Sequence, residues 1–158
     1  MHAPPPHEDP TPFLGVTRYL LDNGFRAPEI YAEDLAQGFL LIEDFGDRRM
    51  REHIDAEPGD EGGIYKAAVV TLVELAKAPV ADVPPYDMAA YMREVKLLSE
   101  WYLPAMGIAF DQGEYDSLWT DALLPISGPE WRSVTVLRDY HAENIMLLDD
   151  GAQGLIDY

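Results

Sequence analysis

Cysteine is absent from the 158 residues, which excludes disulfides and thiolate metal sites. Lysine is almost absent: Lys66, Lys77 and Lys96 are the only three. Basic residues number 11 against 29 acidic ones, a formal charge of −18. Such a surface repels nucleic-acid backbones and anionic bilayers, so neither is an expected partner. No apolar run approaches the roughly 18 residues that span a membrane. The stretch from Met1 to Pro12 is proline-rich and acidic, without the apolar centre of a signal peptide. The expectation is a cytoplasmic protein, with oligomeric state left open.

What is present suffices for a fold. Hydrophobic residues make up 47% of the chain and charged ones 25%, the profile of one globular domain rather than a disordered chain. Thr11-Pro12 reads as a helix start, with Phe13, Val16, Leu20 and Leu21 at helical spacing before Asn23-Gly24. Ile30 to Asp34 and Phe39 to Asp44 read as strands joined by a turn at Leu35 to Gly38. A short helix within Gly46 to Glu57 comes next, then the Pro58-Gly59 and Gly62-Gly63 breaks. Three longer helices are expected: Ile64 to Lys77, a second capped by Asp87, and Asp111 to Leu124. On the second, Tyr91, Val95, Leu98 and Trp101 form a stripe expected to face a core. Ser133 to Leu137 reads as a short buried strand.

The chain ends on two apolar runs, Ile145 to Leu148 and Gln153 to Ile156, around Asp150-Gly151, a strong hairpin signal. With Asp150 and Gly151 as the two central turn residues, Ile145 faces Ile156 and Asn144 faces Asp157. Opposed residues lie about 4.5–5.5 Å apart and share a face, so an amide oxygen and a carboxylate would converge. That donor set suits Mg²⁺, which takes one or two carboxylates plus phosphates. Asp139 stands five residues before Asn144. Asp, four residues, Asn, then a hairpin closing on Asp is the kinase arrangement of a base and two metal ligands. Taken on residues alone, a tight hairpin framed by two polar residues accounts for the pattern equally well.

Two other sites find less support. Asp139, His141 and Glu143 alternate as ligands on a strand might, but zinc sites ordinarily bring more His or Cys. No Gly-x-Ser-x-Gly elbow supports a serine hydrolase.

The run Leu137-Arg138-Asp139-Tyr140-His141-Ala142-Glu143-Asn144 resembles the catalytic loop of the aminoglycoside phosphotransferase and choline kinase-like superfamily. Leu155-Ile156-Asp157-Tyr158 resembles its metal-binding motif. Gln37 to Asp44 and Glu100 to Pro104 are similar to the branch of bacterial N-acetylmuramate and N-acetylglucosamine kinases of cell-wall recycling. Leu137 stands where many members carry His, an apolar choice shared with that branch. The resemblance implies an α+β, protein kinase-like two-lobe fold, represented in part. Residues 1–45 would be part of the small lobe and hinge, and residues 46–158 part of the large lobe. It implies Asp139 as catalytic base, Asn144 and Asp157 as metal ligands, and backbone around Glu43, Asp44 and Phe45 as nucleotide site. ATP and Mg²⁺ follow as cofactors, and a cell-wall amino sugar as acceptor.

The usual phosphate-contacting strand lysine and a Gly-rich phosphate loop are not seen, since all three lysines fall on expected helices. The chain is therefore expected to be a fragment whose activity belongs to a complete protein. The alternative is a non-catalytic remnant or interaction protein keeping the motif.

Overall fold

A computed structural model describes residues 1–128 and 132–158. They form two compact units: Met1–Val83 with Val134–Tyr158, and Pro84–Ser133. No helix among the described residues is long and apolar enough to cross a membrane.

The first unit opens with helix α1 (Thr11–Asp22), which places Leu14, Thr17 and Leu20 on its buried face. The acceptor at its start is Asp9, whose carboxylate takes the Thr11 N–H at 2.9 Å, so Thr11 is a helical residue and not the cap. Strands β1 (Ile30–Asp34) and β2 (Phe39–Ile42) pair antiparallel around the expected turn, with a bulge between Ile30 and Ala32. Gly38 turns at φ +72°, and an added Cβ would lie 2.0 Å from the Ala3 carbonyl oxygen, so only glycine fits there. Helix α2 (Met50–Ala56) follows, then α3 (Glu61–Lys77). The latter starts three residues before Ile64, so Gly62 and Gly63 belong to its first turn.

Leu20, Met50, Leu75, Leu137, Ile145 and Leu155 meet in one core, all under one-tenth exposed. Fully burying such a side chain contributes about 1.5–3 kcal/mol. The core sits beneath the terminal hairpin, strands β3 (Ile145–Leu147) and β4 (Gln153–Leu155), and thereby fixes what lies at the hairpin's two ends.

Ser133 to Leu137 is not a strand. Thr135 and Leu137 are buried while Val134 and Val136 stay exposed, an extended alternation with no ladder partner among the described residues. Side chains hold it instead: Thr135 Oγ1 accepts the Ala81 N–H at 2.9 Å and donates to the Tyr19 hydroxyl at 3.0 Å.

The second unit contains α4 (Met88–Leu97), a π-helical stretch Leu98–Tyr102, a single turn α5 (Leu103–Ala105) and α6 (Gln112–Leu123). Asp87 caps α4 as expected, accepting from Ala90 N, whereas Asp111, expected as the first residue of its helix, is the cap of α6 and accepts from Glu114 N. The expected apolar stripe holds only in part: Tyr91 and Val95 on α4 are half-buried, but Leu98 is 44% exposed and Trp101 72%, while Ala90 and Ser99 are buried. The π-helical stretch changes the angular step after Leu97, so the 3.6-residue spacing stops predicting the buried face there.

Candidate active site

The hairpin turn departs from the sequence expectation. The pairs are Ile145 with Leu155, Met146 with Gly154 and Leu147 with Gln153. This is one residue out of the predicted register. Leu148 N donates to Ala152 O, Gly151 N to Leu148 O, and Gly151 has φ +84°. Asp149, Asp150 and Gly151 therefore form a three-residue loop ending on a left-handed glycine, not a two-residue turn. Asp150 has no positive φ and uses its carboxylate to accept from Ala152 N at 2.9 Å. Asp-Gly serves either turn, and spacing alone could not choose.

As a result Asn144 stands opposite Ile156, whose N–H donates to the Asn144 carbonyl at 3.1 Å. Asp157 lies one residue past that pair, so Asn144 and Asp157 are not the directly opposed cross-strand pair that the sequence predicts. Asp157 instead leaves the strand through a left-handed turn at φ +55°, a conformation that Asp tolerates better than most residues. The turn is anchored by the next residue. The Tyr158 hydroxyl and Thr17 Oγ1 are 2.7 Å apart, and the Tyr158 ring stacks on Phe13 at 5.6 Å. Burial pushes the Tyr158 phenol up to about 12, against the smaller opposing effect of Thr17.

At the start of β3 the loop folds back on itself. Asn144 Nδ2 donates to the Asp139 carbonyl at 3.1 Å, and Asn144 N to the His141 carbonyl at 2.9 Å. The amide nitrogen is thereby tied inward and its oxygen is left for another donor or a cation. Tyr140 pins the loop from below, donating its hydroxyl to Ala68 O on α3 at 2.9 Å. The Asp139 side chain is exposed and has no hydrogen-bond partner among the described residues. His141 Nδ1 accepts from Glu143 N at 3.3 Å, which turns it to the loop and away from an Asp-His-Glu ligand set. No cluster of three or more metal-binding side chains occurs among the described residues. An amide oxygen with one carboxylate still matches the sparse protein donor set of Mg²⁺, which keeps waters and phosphate oxygens.

The other end of the hairpin borders a cleft of about 450 Å³, within the range of small-molecule sites. Its walls are Glu43, Asp44 and Phe45 on one side and Leu147, Leu148 and the 149–150 turn on the other. The backbone N–H groups of Asp44 and Phe45 have no partner among the described residues, whereas Glu43 N donates to Glu29 O. The structure thus gathers the expected nucleotide residues in one cleft, and Asp139 and Asn144 at the hairpin's opposite end. Three residues of β3 separate them, about 10 Å at the rise of a strand.

Three contributors escaped the sequence analysis. Arg26 forms a two-pronged ion pair with Glu43, with Nη1 to Oε2 at 2.7 Å. The hydrogen bonds from Arg26 hold the Glu43 carboxyl below its ordinary range, against the opposing effect of burial. Gly154 lies so close to Phe45 that a Cβ would meet ring carbons at 2.6 Å. Thr17 is fully buried under Tyr158. None belongs to a recognisable pattern, although Arg26 is the lone cation between Arg18 and Arg48.

Residues 1–158 match the model of the phosphotransferase enzyme family. The chain is 37% identical over 163 residues to the N-acetylmuramate/N-acetylglucosamine kinase of Pseudomonas aeruginosa, covering 100% of this chain and 47% of that protein. The same-named proteins of Pseudomonas putida and Caulobacter vibrioides are 35% and 31% identical, with 43% and 44% of their lengths covered. The chain therefore spans less than half the length of these relatives. By a match over its whole extent, the chain belongs to the phosphotransferase enzyme family.

Proposed function

We propose that the complete protein is an ATP-dependent kinase that phosphorylates a hydroxyl of a cell-wall amino sugar, N-acetylmuramate or N-acetylglucosamine. The observation that carries the chemistry is the Asn144 amide bonded back to the Asp139 carbonyl. That bond joins a candidate base and a candidate metal ligand in one braced loop, and such positioning is most of what phosphoryl transfer requires. The sugar class is supported by the names of the relatives alone.

In this reading Asp139 accepts the proton of the attacking hydroxyl on its exposed carboxylate. Asn144 Oδ1 and the Asp157 carboxylate hold Mg²⁺, which when bound neutralises charge on the phosphate oxygens. Asp44 and Phe45 offer backbone N–H groups, beside Glu43, to the base of the nucleotide. A ligand laid along β3 would reach from that cleft to Asn144. Residues 1–45 then act as part of a small lobe with its hinge, and residues 46–158 as part of a large lobe. Dependence on ATP fits a cytoplasmic location.

A second reading is a non-catalytic protein that retains the motif, and loss of phosphotransfer by the complete protein with every acceptor would favour it. Lys66 and Lys77 lie on α3 and Lys96 on α4, none of them on a strand.

The deciding experiment is phosphotransfer from radiolabelled ATP by the complete protein to N-acetylmuramate, N-acetylglucosamine, choline and an aminoglycoside. The first two should be labelled, and Asp139→Asn should lower kcat about 10²–10⁴-fold with little change in sugar binding. Labelling of choline or the aminoglycoside in preference would overturn the sugar assignment. Normal turnover by the Asp139→Asn variant would remove Asp139 as base.

A further inference from the structure

Arg26 touches both sides of the cleft at once. Its backbone carbonyl accepts the Leu155 N–H of β4 at 2.8 Å, extending the hairpin by one hydrogen bond. Its guanidinium grips Glu43 by both prongs and lies over the Phe45 ring at 4.6 Å to the centroid. Phe45 in turn rests against Gly154 of β4. Through Phe45, which touches both Arg26 and Gly154, the 43–45 segment is joined to the hairpin. With Nη1 and Nη2 both donating to Glu43, and Nη1 also to the Ala27 carbonyl, the guanidinium is engaged chiefly within the protein.

Charge gives the pair a second effect. Asp44, Asp47, Asp149 and Asp150 already line the cleft, in a chain of net charge −18. An unpaired Glu43 would add a fifth carboxylate where a polyphosphate-bearing ligand must approach. Its side chain is only 20% exposed, so water could not fully replace the guanidinium. The expected response to losing Arg26 is movement of Glu43 outward, carrying Asp44 and Phe45 with it.

We propose that Arg26 is a positioning residue for nucleotide binding, holding the 43–45 segment and strand β4 at a fixed spacing through Glu43 and Phe45. This role rests on the nucleotide reading of the cleft. It acts on ligand affinity through other residues and has no part in proton transfer.

The test uses the complete protein, with MgATP affinity measured by calorimetry and steady-state kinetics against both substrates. Arg26→Ala should raise the MgATP Kd about 10-fold while kcat and the sugar KM stay within about threefold. Arg26→Lys keeps the charge but not the fork, and should recover part of that loss. Glu43→Gln combined with Arg26→Ala should bind MgATP no worse than Arg26→Ala alone, since the two act as one unit. Amide exchange at Leu155, Asp44 and Phe45 should quicken together in Arg26→Ala, a signature that diffuse destabilisation would not confine to these positions. If Arg26→Ala does not fold, the same comparisons on Arg26→Lys and Glu43→Gln decide. Wild-type binding with unchanged affinity in the variants overturns the role of Arg26 alone. A wild-type protein that does not bind MgATP overturns the kinase reading, and this role with it.

Discussion

The two hairpins of the first unit are equally visible in the sequence, yet they are built differently. Strand β1 is almost wholly exposed, and Leu41 of β2 is 60% exposed. The β1–β2 pair is held chiefly by its own ladder, with the segment from Met1 to Ala3 alongside β2. The terminal hairpin is shorter but buried, and it is bonded on both flanks. Leu147 N donates to Arg48 O, and Leu155 N to Arg26 O. In the first hairpin Leu40 is the one buried strand residue, so a register shift there exposes a single side chain. The buried hairpin cannot shift its register, because one step exchanges its inner and outer side chains. The candidate chemistry is attached to the hairpin whose register the core enforces.

The sharpest way to break this contrast is to cut the same side chain from each hairpin. Leu155→Ala should destabilise the complete protein by about 2–5 kcal/mol, since Leu155 is fully enclosed. Leu41→Ala should stay within about 0.5 kcal/mol. Urea denaturation of the two variants reads the difference, and equal losses would show that the hairpins are equivalent supports.

Next in size are the glycines. Gly154→Ala should cost about 1–3 kcal/mol, because Phe45 must move from the site the new methyl group would occupy. Gly38→Ala strains the first hairpin's turn and drives the Ala3 carbonyl aside, with a cost of about 1–3 kcal/mol. Its effect should be limited to amide exchange near Met1 to Ala3, whereas Gly154→Ala should reach the cleft beside Phe45.

The smallest effect expected is at Tyr158. Tyr158→Phe removes the hydrogen bond to Thr17, worth about 1 kcal/mol at neutral pH. Its pH dependence is more telling. The phenol sits at about 12 when folded, above its ordinary value of about 10, so folding favours the protonated form. That stabilisation is complete below pH of about 10 and is lost as pH climbs through about 12. Tyr158→Phe should flatten the alkaline loss of stability seen by circular dichroism. An unchanged alkaline profile would place the sensitivity elsewhere.

Local signals told most where local physics decided. The turn at Leu35 to Gly38, the Asp87 cap and the helical spacing of α1 each depend on a few neighbouring residues, and each was legible. The terminal register was not, because Asp-Gly fits two loop lengths and packing of Ile145 and Leu155 makes the selection. The stripe ending at Trp101 held for the half-buried Tyr91 and Val95 and lapsed from Leu98 onward, where the regular helix ends. Asp139, Asn144 and Asp157 were legible as a pattern, while the means of holding them was not. Tyr140 on Ala68, Tyr158 on Thr17 and Arg26 on Glu43 join residues 72, 141 and 17 positions apart.

The left-handed turn at Asp157 has a bearing on how this position drifts over generations. It is the sole non-glycine position of positive φ among the described residues. Backbone shape alone admits chiefly Gly, Asn and Asp there, whatever the chemistry requires. A descendant that abandoned catalysis would still be channelled toward those three residue types, and keeping Asp would cost it nothing. Asp139 carries no such backbone demand. Loss of selection for phosphotransfer should therefore show first as a change at 139, with 157 the slower clock.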